Sequence, residues 1–117
     1  MKNYFLIFIM LASVTAIAQK VTIYGIGDST MADKKNPSQN PEHGWLQVFP
    51  QFVTADVKVV NKAVNGRSTR NFIEEGRWDS ITRVLKKGDY VFIQFGHNDA
   101  KADDPKRYTN PPHGLSL

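Results

Sequence analysis

Three short, mostly apolar runs, each closed by a polar turn containing glycine, constrain the fold of this chain most. They are Val21-Thr22-Ile23-Tyr24-Gly25-Ile26 before Gly27-Asp28, Val57-Lys58-Val59-Val60-Asn61-Lys62-Ala63-Val64 before Asn65-Gly66, and Tyr90-Val91-Phe92-Ile93-Gln94-Phe95 before Gly96. β-Branched and aromatic residues at this density suit strands, and runs with little polar alternation belong to strands covered on both faces. The intervening stretches carry helical spacing. Trp45, Leu46, Phe49, Phe52 and Val53 recur at helical intervals, with Pro50 predicting a kink or break. Trp78, Ile81, Val84 and Leu85 form a second stripe, with Lys86-Lys87 in the last turn and Gly88 at the stop. Asn65-Gly66 would suit a hairpin, but Arg67-Ser68-Thr69-Arg70 follows where a partner strand needs apolar residues. Strand, helix, strand, helix, strand implies an α/β protein with a parallel sheet between helical layers.

A chain of 117 residues holds one modest domain, and 41% apolar with 22% charged residues excludes wholesale disorder. The absence of cysteine excludes disulfide scaffolds, zinc-thiolate and iron–sulfur sites, thiol catalysis and thioether lipid anchoring. A formal charge of +4 is too small an excess to argue for nucleic acid. The first residues read as a secretory signal: Met1-Lys2-Asn3 is a short basic start, Tyr4–Leu11 is apolar, and Ala16-Ile17-Ala18 precedes Gln19 as an A-x-A cleavage pattern. The stretch Tyr4–Ala18 is shorter than the ~20 residues that span a bilayer as a helix. Residues 1–18 are therefore expected to be removed after Ala18, leaving 19–117 secreted or periplasmic, with no membrane partner.

In open parallel sheets, sites form beyond the carboxyl ends of the strands. Three turns lie there: Gly27-Asp28-Ser29-Thr30, Asn65-Gly66-Arg67-Ser68 and Gly96-His97-Asn98-Asp99. Ser29 brings a hydroxyl and Asn98 an amide donor, while glycine lets backbone N–H groups face a ligand. A hydroxyl nucleophile among neutral N–H donors suits acyl transfer, whose tetrahedral intermediate carries an oxyanion. Gly25-Ile26-Gly27 superficially suggests dinucleotide binding, but Thr30 replaces the third glycine of G-x-G-x-x-G. No metal-ligand cluster is visible in the sequence.

At these residues the chain resembles the SGNH (GDSL-type) esterase and lipase superfamily, in Gly27-Asp28-Ser29, Gly66 and Gly96-His97-Asn98-Asp99. Finer features resemble its rhamnogalacturonan acetylesterase group: Gly27-Asp28-Ser29-Thr30-Met31-Ala32, Gly44-Trp45, Asn65–Phe72, Glu75-Gly76-Arg77-Trp78, Gln94–Asp99 and Asp103–Tyr108. The resemblance implies a three-layer α/β/α, flavodoxin-like fold with strand order 2-1-3-4-5. It further implies Ser29 as nucleophile, with the N–H groups of Ser29 and Gly66 and the Asn98 amide as oxyanion hole. Acetylated plant cell-wall polysaccharide is the implied substrate, without metal or cofactor.

The chain departs from that pattern in lacking the D-x-x-H block that supplies the family's catalytic Asp and His. It reads as the N-terminal portion of such a domain, ending after the third strand. It is expected to be inactive alone, because a serine without a base is a poor nucleophile. A non-catalytic carbohydrate-binding remnant is the alternative reading. His97 shares the third turn but occupies its variable position; His43 reads as a loop residue, and His113 lies in the divergent tail. Asp28 and Asp99 read as turn braces rather than acid–base groups. Arg67 and Arg70 are candidate contacts for galacturonate carboxylates, or else partners of Glu74, Glu75 or Asp79. Lys34-Lys35 reads as solvated surface, and Trp45 and Trp78 as core. The run Tyr90–Phe95 is expected to leave an uncovered sheet edge.

Overall fold

A computed structural model of the chain describes residues 20–110, so the expected signal segment and His113 lie outside the described residues. The three apolar runs form β1 (Val21–Gly27), β2 (Val57–Asn61) and β3 (Tyr90–Gln94). They pair in parallel in the order β2-β1-β3. Val21 stands opposite Val57, and Ile23 opposite Tyr90. The three strands match the part of the implied 2-1-3-4-5 order that they can test.

A first strand in the centre makes the chain step outward to β2 and then back across β1 to β3. Right-handed crossovers taken in opposite directions put their helices on opposite faces of the sheet. The first crossover carries α1 (Trp45–Val48) and a 3₁₀ turn, Phe49–Phe52; the second carries α2 (Thr69–Glu74) and α3 (Arg77–Thr82). Side chains alternate across a strand, and the contacts divide accordingly. A Cβ on Gly25 would stand 1.9 Å from Leu46 Cδ2, so the bare glycine lets α1 lie close against β1. Phe92, in register with Gly25, packs against Trp45 and Phe49, with ring centroids 6.3 and 5.8 Å away. On the other face Ile26 joins Phe72 of α2 and Ile81 of α3 in a buried cluster, flanked by Tyr24, Trp78, Leu85, Val91 and Phe95. Full burial of such side chains stabilises by roughly 1.5–3 kcal/mol each.

Several local expectations need correction. The first stripe breaks near Pro50, as its ring requires, but only Leu46 of that stripe is buried, while Trp45 and Phe52 are exposed. The helix of the second stripe, α3, stops at Thr82, and Val84 is exposed. Lys86-Lys87 lies in the turn beyond it, where Asp89 Oδ2 accepts the Lys86 N–H at 3.0 Å and draws the chain out of helical geometry. β2 ends at Asn61 rather than Val64. The unexpected element is α2, which starts on a reciprocal cap: Ser68 Oγ accepts the Asn71 N–H, and Asn71 Oδ1 accepts the Ser68 N–H, each at 3.3 Å.

Candidate active site

The first turn leaves β1 at Gly27, where a Cβ would meet the Gln94 carbonyl oxygen at 2.5 Å, so glycine lets β3 close against the strand end. Asp28 follows, 1% exposed. Its Oδ1 accepts the Thr30 N–H at 3.0 Å and the Thr30 hydroxyl at 2.8 Å, an Asx turn that folds the chain back at once. The Asp28 carbonyl accepts the Met31 and Ala32 N–H groups at 3.2 and 3.0 Å. Ser29 is left at the tip, half-buried, and no described residue hydrogen-bonds its hydroxyl or its N–H.

The second turn runs alongside. Lys62 N–H donates to the Gly25 carbonyl at 2.8 Å, Val64 N–H to the Gly27 carbonyl at 3.0 Å, and Arg67 N–H closes the turn on Val64 at 3.3 Å. Gly66 sits at φ +74°, a backbone state that a side chain disfavours, and its N–H has no partner among the described residues. In the third turn Asn98 is 2% exposed. Its Nδ2 donates to the Arg67 carbonyl at 3.1 Å, and its Oδ1 accepts from Arg107 Nη1 at 3.5 Å. A carboxamide carries two N–H groups, so one fixes the second turn while the other remains for a ligand. Asp99 Oδ1 accepts the Thr69 N–H at 3.1 Å and also holds the Thr69 hydroxyl, tying this turn to the start of α2. Both aspartates therefore act as the expected braces.

The three turns are joined through Val64 to Gly27, Asp28 to Gln94, and Asn98 to Arg67. Ser29 lines an open depression with Thr30, Lys34, Glu42, His43 and Asn65; Gly66 and Arg67 line a second one that shares Asn65. His97 is exposed and lines neither depression, whereas His43 lines the depression of Ser29, with its Nδ1 2.7 Å from the Glu42 carbonyl. Among the described residues neither imidazole hydrogen-bonds Ser29.

The two arginines already hold carboxylates of the chain itself. Arg67 Nε grips both Glu75 oxygens at 3.1 and 3.2 Å, and Arg70 Nε meets Glu74 at 2.8 Å. Hydrogen bonds from Arg77 and then Arg67 hold the Glu75 carboxyl below its ordinary pKa. Lys34 is the residue whose role the sequence conceals. It is half-buried rather than freely solvated, with its ammonium on the Ser29 carbonyl and 3.2 Å from Asn65 Oδ1. Gln94 is a second such residue: its amide meets the Thr30 hydroxyl and accepts the Trp45 indole N–H at 2.8 Å. No motif marks Lys34; only its place five residues after Ser29 hints at it.

Residues 26–112 match the GDSL-like Lipase/Acylhydrolase family. The chain belongs to that family. The matched range contains Ser29, Gly66 and Asn98, whose turns lie together at one end of the sheet. Among similar members, the rhamnogalacturonan acetylesterase of Emericella nidulans is 47% identical over 73% of this chain and 30% of its own length. Rhamnogalacturonan acetylesterase RhgT of Bacillus subtilis is 42% identical over 83% of this chain and 41% of its own. A crystal structure of Bacillus subtilis YxiM superposes with a TM-score of 0.67 at 32% identity, over 72% of this chain and 24% of that one. The chain spans about two fifths or less of these relatives. The α/β fold of this GDSL-family chain and its three-stranded parallel sheet agree with that likeness.

Proposed function

We propose that this chain carries the nucleophile and oxyanion hole of a secreted serine esterase that removes acetyl groups from pectic polysaccharide. Ser29 attacks the ester carbonyl, and the N–H groups of Ser29 and Gly66 with the Asn98 amide receive the developing oxyanion. The observation that carries the reading is the company Ser29 keeps: a strand-end hydroxyl without a partner among the described residues, joined through braced turns to a Gly66 N–H likewise without one among them and to a buried, doubly anchored Asn98 amide. The likeness to two rhamnogalacturonan acetylesterases supports the acetylated substrate.

The proton acceptor for Ser29 is assigned to a D-x-x-H block, which the 117 residues do not contain. The chain alone is therefore expected to turn over an aryl acetate at close to the background rate. In a form that carries the Asp and His, Ser29→Ala is expected to lower kcat by a factor on the order of 10⁶. Undiminished hydrolysis by that variant would remove Ser29 from the mechanism. Retention on pectic polysaccharide without turnover, in a form that has the Asp and His, would favour the binding remnant.

A further inference from the structure

We propose that Lys34 is a positioning residue that locks the nucleophile turn to the oxyanion turn. Its ammonium has two acceptors: the carbonyl of Ser29 itself, and Oδ1 of Asn65, the residue immediately before the donor Gly66, at 3.2 Å. A lysine ammonium carries three N–H groups, so one side chain can serve both acceptors, and charge strengthens each bond. A long, flexible side chain would ordinarily lose too much freedom for such a bridge to persist. Here the backbone of Lys34 is held as well: its N–H donates to Gln47 Oε1 at 3.0 Å, and its carbonyl accepts from Gln47 Nε2 at 3.5 Å. Gln47 belongs to α1, which is itself tied to the first turn where the Trp45 N–H meets the Thr30 carbonyl at 3.0 Å. Lys34 is thus fixed at both ends.

The consequence is geometric. Oxyanion donors act over hydrogen-bond distances, so the two turns must keep their separation to well within an ångström. Val64 and Gly27 join the turns through backbone on the strand side. Lys34 supplies the link on the solvent side, where Ser29 and Asn65 line the same depression.

The proposal rests on the esterase reading only for its kinetic effect, so the deciding experiment is amide hydrogen exchange on the full chain. The informative amides are Met31 and Ala32, bonded to the Asp28 carbonyl, and Arg67, bonded to that of Val64. Lys34→Met is expected to speed their exchange about tenfold, with strand amides unchanged and Lys34→Arg close to wild type. Lys35→Met, at an exposed neighbour, is the control and should change nothing. Asn65→Ala removes only the second acceptor and should speed Arg67 by a similar factor, which decides the matter should Lys34→Met fail to fold. Turn exchange equally fast in wild type and Lys34→Met, acceleration spread evenly through the strands, or no rescue by arginine would each overturn the proposal. In a form with measurable turnover, Lys34→Met should lower kcat without raising KM. Absence of aryl acetate hydrolysis by that wild-type form would refute the esterase reading, while the exchange result would still decide the role of Lys34.

Discussion

Asn98 shows how one side chain serves fold and chemistry together. Its amide is buried, with one N–H committed to the Arg67 carbonyl and its oxygen held by Arg107. Truncation to alanine removes an oxyanion donor and leaves the Arg67 carbonyl unpaired. Steady-state kinetics of Asn98→Ala should show kcat reduced roughly 10²–10³-fold with little change in KM; a loss confined to KM would contradict the assignment. Glu75 gives a second prediction at this scale. Hydrogen bonds from Arg77 and Arg67 lower its folded-state pKa, so its contribution is present above the ordinary value of 4.5 and is lost as pH falls through the lower folded value. Solvent screening keeps that contribution small. Glu75→Gln should therefore lower the urea midpoint slightly at pH 7, and the difference from wild type should close in acid. Asp28 was legible from the turn it stands in, because its Asx brace depends on local chain geometry, whereas the partner of Asp99, Thr69, lies on another element. Lys34 was not, since its partners lie on two separate turns and a lysine beside another lysine reads as solvent-facing.

At the scale of elements, the strands were legible because short runs dense in β-branched and aromatic residues and closed by glycine turns have few other uses. The helices were less so. α2 is six residues long and buries only Phe72, so it presents no stripe; its signal is the Ser68–Asn71 cap, which uses Asn where a capping box usually has Glu or Gln. The stripe around Trp45 was misleading because Trp45 and Phe49 cover Phe92 of the sheet while remaining partly open to solvent. The join between β1 and β3 is a close backbone approach beside the site. In Gly27→Ala the new methyl would fall 2.5 Å from the Gln94 carbonyl oxygen, and backbone must move to admit it. Chemical denaturation should show a loss of about 1–3 kcal/mol. Stability equal to wild type would mean that β3 does not sit against Gly27.

For the molecule as a whole, the sheet order leaves β3 paired on one side only among the described residues, with Tyr90 and Ile93 59% and 46% exposed. Unpaired backbone beside apolar side chains favours association with other chains. Sedimentation velocity should show concentration-dependent self-association, reduced by Ile93→Lys; a monomer with a cooperative transition at all concentrations would contradict this. The same architecture gathers three strand ends, and hence Ser29, Gly66 and Asn98, at one end of the sheet. Their joint role in acyl transfer is tested most directly by acid-quenching a form that carries the D-x-x-H pair during aryl acetate turnover and mapping the acetyl group by mass spectrometry. The expected result is acetyl on the Ser29 peptide, with both adduct and turnover lost in Ser29→Ala. An acetyl group on another residue, or undiminished turnover in that variant, would contradict it.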